Sequence, residues 1–430
     1  MSQQTSRRDR LAALRREFHR KPEPAWREFW TTARIVEELE AVGVDELHVG
    51  PDAIDPDRRM AVPDDDELEE WYERALSEGA DESVLERLRG GETGAVAVLR
   101  QGAGPTVGLR VDIDALPQTE SEDEAHVPAS EGFRSEHEGT MHACGHDAHA
   151  TLGIGTIEAV KESDFAGTLK VFFQPAEEVI GGGEAMARSG HLDDVDHLFA
   201  AHVGLDHPTG EVVAGIDGFL AVTHLRADFH GHPGHAGARP EEGRNAVQAM
   251  AAAVQGLYGI PRHSDGVTRV NAGRVGGGTA TNIIPEHAFV DAEVRGGTTE
   301  LKDYMLDRAM DVLEGAAEMH DCELETDVVG DAPSATSDES LVDVVAEIAA
   351  GVAGVESVVR RDTLGGSEDA TYLMQYVQDR GGDATYVGIG TDHPGGHHTA
   401  TFDVDEESLV IGVDTLAGAI RAVAAGGAEG

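Results

Sequence analysis

The chain has 430 residues, with 33 Lys and Arg against 81 Asp and Glu, for a formal charge of −48. That length exceeds one usual core, so a large domain with a smaller companion is expected. The charge excludes a phosphate-tracking nucleic-acid binder, and its dispersal along the chain is what a salt-rich cytoplasm selects for solubility.

The first segments, 6–20 and 31–43, carry apolar residues at helical spacing and no signal-peptide core. Pro22 and Pro24 break the pattern between them, where His19 and Trp26 read as packing residues. Residues 50–92 follow as an acidic excursion with one helix expected over 65–89, read as a solvated decoration or contact surface. Short β-branched runs at 94–100, 106–114, 167–173 and 196–203 read as strands, with helices at 148–162 and 183–190. This alternation predicts an α/β fold with a mainly parallel-sheet catalytic domain, whose site forms beyond the carboxyl ends of the strands. From about 220 the pattern reads β-α-β-β-α-β, an inserted ferredoxin-like α+β domain. The α/β pattern then returns with helices at 338–352, 367–378 and 406–424 and a strand at 384–390. The domain expectation is therefore 1–219 and 334–430 for the catalytic domain, with 220–333 as an inserted lid or dimerisation domain. No run approaches the roughly 20 apolar residues of a membrane span. Cys144 and Cys322 lie far apart, which argues against a disulfide and for a reducing, cytoplasmic setting.

Four stretches carry chemistry. Residues 141–149 pack Cys144, His142, His146, His149 and Asp147 into nine positions, and thiolate and imidazole favour zinc-like ions. Glu177 and Glu178 follow a strand, where adjacent acids point in different directions and can divide the work of metal ligand and general base. His202 ends an apolar strand, and His397 with His398 sits in a glycine-rich stretch. Brought together at the strand ends, these residues would form a two-metal hydrolytic centre.

The ordered motifs RVDIDALP, MHACGHDAHAT, FFQPAEE, AAHVG, GHPGHAGARPEEGRNA, TNIIP, VRG, GGSEDATYLM and GHHTATFDVDE resemble the two-metal amidohydrolase and carboxypeptidase family of aminoacylases, glutamate carboxypeptidases and auxin-conjugate hydrolases. The resemblance implies Cys144, His146, Glu178, His202 and His398 as ligands of two divalent ions, manganese or zinc. It implies Glu177 as the general base and Asp112 as the carboxylate orienting a ligand imidazole. His235 would polarise the substrate carbonyl, and Asn282 and Arg295 would face the substrate, the guanidinium pairing with a carboxylate. Arg110 stands where many relatives carry a ligand His, so His142, His149 and His397 stay open as second choices. The segment 18–32, the excursion and 267–296 resemble the aminobenzoyl-glutamate hydrolase branch. That branch implies cleavage of p-aminobenzoyl-glutamate, with broader N-acyl-amino-acid deacylation as the alternative. It also implies a homodimer through the inserted domain, or a heteromer with a B-type subunit. Loss of a ligand or of the base would mark a silent partner or sensor on this scaffold, and here each expected position is filled.

Overall fold

β-branched and apolar side chains favour strands where a sheet can bury them, and eight strands join in one sheet whose central members are buried on both faces. The computed structural model describes residues 2–426; the outer limits 1 and 430 of the expected catalytic domain lie outside them. The sheet order is Glu46–Val49, Ala95–Gln101, Gly167–Gln174, Thr106–Asp112, His197–Val203, Asp383–Ile389, Glu211–Val213 and Ser357–Val359. The four strands from Gly167–Gln174 to Asp383–Ile389 run parallel, and antiparallel neighbours flank them. Val107, Leu109, Val111, Val171, Phe173, Phe199 and Ala201 are fully buried.

Helices cover the sheet. His146–Lys161 lies on it with Gly153 against Phe173, where an added Cβ would come within 2.7 Å of the ring. Helices Glu407–Gly426 and Ser2–Arg20 pack against His146–Lys161 in turn. Glu407–Gly426 is long and apolar enough to cross a membrane, yet 61% of its apolar window is buried in the protein, as befits a core helix.

Two compact units divide the chain. One comprises Met1–Asp217, Ala335–Leu364 and Asp369–Gly430; the other comprises Gly218–Ser334 and Gly365–Glu368. In the second, an antiparallel sheet runs Thr268–Gly277, His287–Gly296, Ala221–His230, Glu323–Ala332, with helices Ala246–Tyr258 and Thr299–Met319 packed on it. In β-α-β-β-α-β numbering that order is 2-3-1-4, the ferredoxin-like arrangement.

Two expectations need correction. The single helix over 65–89 is instead Asp65–Ser77, a short turn of helix at Glu82–Leu85 and a 3-10 turn at Glu86–Leu88, broken at Gly79 with φ 91°. The excursion is also no loose decoration, because Leu68, Trp71, Tyr72, Leu85 and Leu88 are buried. Its backbone reaches the loop after Gly167–Gln174 and the short helix Gly183–Ala187 that follows: Met60 N–H donates to the Gly181 carbonyl at 3.3 Å and Asp55 N–H to that of Ala185 at 2.8 Å.

Candidate metal centre and active site

Most candidate side chains in the catalytic unit are delivered by the end of a regular element, and His398 comes from the loop between Asp383–Ile389 and Glu407–Gly426. Asp112 is the last residue of its strand, and Glu177 and Glu178 follow Gln174 across a turn at Ala176. His202 lies one residue before the end of its strand, and His146 opens a helix whose start is forced by Gly145 at φ 88°. No other residue fits at 145, since a Cβ there would meet Val203 Cγ2 at 2.5 Å. His398 is itself left-handed, at φ 59°, a strained conformation of the kind that clusters at functional sites.

The structure brings Cys144, His146, Glu177, Glu178, His202 and His398 together. Cys144 Sγ lies 3.5 Å from His202 Nε2. His202 Nδ1 donates to the Val203 carbonyl at 2.7 Å, leaving the Nε2 lone pair facing the thiol. Burial, reinforced by His149 and His397, holds this imidazole well below its ordinary pKa and therefore neutral. His146 is turned by Asp114, whose carbonyl and Oδ1 lie 3.0 and 3.2 Å from Nδ1. Its Nε2 faces Asp112 at 3.6 Å, Glu178 at 3.8 Å and Glu177 at 4.0 Å. Burial alone would lower its pKa, but Asp112 and Asp114 outweigh that and push it up to about 10. His398 Nε2 is 3.6 Å from Glu178 Oε2.

The alternatives sort themselves by which nitrogens are engaged. His149 contacts Asp112 through Nδ1 and accepts Val203 N–H at Nε2, at 2.8 Å, so both its nitrogens are engaged. His397 accepts Leu205 N–H at Nε2, which turns its Nδ1 proton toward Cys144 Sγ at 3.4 Å. His142 is buried with neither nitrogen hydrogen-bonded, and burial drives its pKa down to about 3.

In the inserted unit, His235 is exposed on a two-residue strand paired with Ile283–Ile284, beside Asn282. The Asn282 carbonyl accepts Ala236 N–H at 3.0 Å. Gly237 and Ala238 N–H groups donate to His235 Nδ1 at 3.2 and 3.1 Å, so its proton sits on Nε2. Arg295 lies apart from this pair, forked onto Glu293 at 3.1 and 2.9 Å and reaching Ser367 Oγ at 3.3 Å.

This arrangement can be set beside known proteins. The model of Peptidase family M20/M25/M40 matches residues 108–422. The chain belongs to that family. It is 42% identical to indole-3-acetyl-aspartic acid hydrolase of Enterobacter agglomerans and 41% identical to the A-type subunit of p-aminobenzoyl-glutamate hydrolase from Escherichia coli, each over 95% of this chain and 94% of the relative. Among solved structures, an aminobenzoyl-glutamate utilization protein from Klebsiella pneumoniae superposes with a TM-score of 0.83 at 36% identity, covering 96% of this chain and 95% of that one. A dinuclear metal-binding M20 peptidase from Bacillus subtilis does so with a TM-score of 0.68 at 25% identity, covering 98% and 99%. The protein is a metal-dependent hydrolase of amide bonds.

The residues present fit that M20 chemistry. His146 Nε2 is buried without a hydrogen-bond partner among three carboxylates, a place a cation would satisfy. Donor atoms of Cys144, His146 and His202 lie within 4.8 Å of one another, as do those of Cys144, Glu178 and His398. Cys144 belongs to both groups, as a shared thiolate ligand would. Arg110 is fully buried and pairs with Asp112 at 2.6 Å, Gln174 at 2.8 Å and Asp369 at 3.4 Å. Burial would raise the Asp112 carboxyl, but Arg110, His146 and His149 hold it well below the usual range. Sequence reasoning missed Asp114 as the partner of His146 and the acids at 23 and 28. The one signal of Glu23 and Glu28 was their place amid the aromatic, proline-broken stretch 22–30.

Proposed function

We propose that this M20 enzyme hydrolyses p-aminobenzoyl-glutamate, a folate breakdown product, to p-aminobenzoate and glutamate in the cytoplasm. The protein cleaves amide bonds between an aroyl or acyl group and an amino acid. The observation that carries the finer reading is the pair of relatives above 40% identity. Their names specify a ring-bearing acyl group on glutamate or aspartate, so the shared chemistry is an amide between such an acyl group and an acidic amino acid. Because the indole-3-acetyl-aspartate relative is as similar as the other, that conjugate is the second reading.

In this mechanism Cys144, His146, Glu178, His202 and His398 would hold two divalent ions, manganese or zinc, which would supply Lewis acidity toward water and the amide carbonyl when bound. Glu177, nearly buried, takes the proton from the attacking water and delivers it to the leaving nitrogen. His235, with its proton on Nε2, donates to the carbonyl oxygen as negative charge develops there. Arg295 exchanges Glu293 for a substrate carboxylate, a bidentate task suited to its planar fork, and Asn282 lines the substrate. The inserted unit has a free edge strand, Thr268–Gly277, with Val275 exposed, which supports assembly as a homodimer; a B-type subunit is the alternative partner.

The test is release of p-aminobenzoate by the purified chain in molar potassium chloride with manganese or zinc, with indole-3-acetyl-aspartate and acetyl-glutamate in parallel. Turnover of the first substrate, lost in Glu177→Gln with metal content retained, is the expected result. Full turnover by Glu177→Gln would remove the base from this scheme. Turnover of acetyl-glutamate alone would move the enzyme to general deacylation.

A further inference from the structure

Glu28 is a fully buried acid that touches none of the groups assigned to chemistry. It occupies the N-cap position of helix Phe29–Val42, yet its carboxylate makes no capping hydrogen bond. Glu23 does that work instead, accepting Trp30 N–H at 2.9 Å and Thr31 N–H at 2.8 Å. The Glu28 carboxylate is turned the other way. Its Oε1 accepts Ala176 N–H at 2.8 Å, and its Oε2 accepts the Thr93 hydroxyl at 2.6 Å.

Ala176 is the pivot of the acid-bearing turn. Its φ is 56°, which a residue with a Cβ adopts only under constraint. Its carbonyl accepts Gly181 N–H at 3.0 Å and Gly182 N–H at 3.2 Å, closing the loop that contains Glu177 and Glu178. Two residues on, Glu178 N–H donates to Asp114 Oδ2 at 3.0 Å. Two buried carboxylates, Glu28 and Asp114, thus grip the backbone on either side of Glu177. Further left-handed non-glycine residues surround the same turn: Ile180 at 54°, Ala61 at 53° and Trp26 at 64°. Trp26 Nε1 donates to the Met60 carbonyl at 2.7 Å, and Met60 N–H to that of Gly181, tying all three segments together. Strain gathered around one turn is a sign that its conformation serves function rather than stability.

We propose that Glu28 is a positioning residue: by holding the Ala176 N–H it keeps the turn left-handed, so that Glu177 and Glu178 leave the backbone in the two directions their separate tasks require. This rests on the assignment of Glu177 as base and Glu178 as ligand.

The test uses the full chain with p-aminobenzoyl-glutamate and indole-3-acetyl-aspartate, reading kcat, KM, metal content and folded fraction. Glu28→Gln keeps an acceptor for Ala176 and an amide that donates to Thr93, so kcat stays within about threefold. Glu28→Ala lowers kcat on the order of 100-fold with KM little changed, the size of effect that a small misplacement of a catalytic group produces. Ala176→Gly in the Glu28→Ala background restores kcat by about tenfold, because glycine adopts positive φ without a steric penalty. A role in stability alone would leave the kcat of the folded fraction untouched. Unchanged kcat in folded Glu28→Ala overturns the proposal, as does a loss that neither Gln at 28 nor Gly at 176 relieves. Should Glu28→Ala not fold, Glu28→Asp is read in its place, since its carboxylate is one methylene short of Ala176; full activity there overturns the proposal equally. Glu177→Gln in parallel separates the two failures. If it retains turnover, the base assignment falls; if it abolishes turnover while Glu28→Ala does not, the positioning role alone falls.

Discussion

At the scale of single residues, the division of labour among the imidazoles follows from which nitrogen each has already committed. His202 and His146 spend Nδ1 on a carbonyl or carboxylate and turn Nε2 inward, whereas His149 has both nitrogens engaged. Partners that fix an imidazole in this way tune metal affinity about as strongly as some ligands do. Asp114→Ala is therefore expected to weaken metal binding by about 10–100-fold, measured by titration of the apoprotein with manganese or zinc; unchanged affinity would contradict Asp114 as the orienting group. His19 shows the same logic without metal. Both its nitrogens meet carboxylates, Asp147 at 2.7 Å and Glu120 at 2.9 Å. Burial and Arg15 pull its pKa down, but the hydrogen bonds to Asp147 and Glu120 prevail and raise it to about 9. The folded value exceeds the unfolded one, so this stabilisation is complete below about pH 6.5 and is lost as pH rises through 9. Its size is about 3 kcal/mol at most. Melting temperatures from pH 6 to 10 should fall more steeply in the wild type than in His19→Gln; parallel curves would show that His19 is neutral in the fold.

Among the elements, the excursion is the one whose role changed most between sequence and structure. Its acidic composition reads as solvent-facing, yet the apolar stripe of Asp65–Ser77 places Trp71 and Tyr72 in the core, with Trp71 edge-on to His137 at 5.4 Å. Its other end meets the loop after Glu177 and Glu178 through Met60 and Asp55. Trp71→Ala should cost about 3–5 kcal/mol of stability, read by denaturant unfolding at fixed salt, as for other buried aromatics. A loss under about 0.5 kcal/mol, the usual size for surface positions, would return the excursion to a decoration.

Across the whole molecule, charge dominates. With −48 distributed over the chain, exposed clusters such as Asp64, Asp65, Asp66, Glu67 and Glu70 repel one another, and salt shortens the reach of that repulsion from about 8 Å at physiological strength to about 3 Å at 1 M. The melting temperature is accordingly expected to climb as potassium chloride rises from 0.1 to 2 M. A flat or falling curve would mean that this repulsion does not limit the stability of the fold.

Whatever depends on local pattern could be read from the chain alone. Strand and helix periodicity, the order of the motifs and the donor types at 144, 146, 177, 178, 202 and 398 are all legible, because each is written in neighbouring residues. The strands missed, Glu46–Val49, Glu211–Val213 and Ser357–Val359, are too short to show a period and exist only because the sheet offers them edges to pair with. Residue partnership, by contrast, was settled by the folded arrangement. Asp114 turns His146, Glu28 reaches the Ala176 backbone across 148 residues, and His19 proves to be an ion-paired imidazole rather than packing. A buried polar group must find its partner wherever the fold has placed one, and that partner's position in the chain carries no local mark.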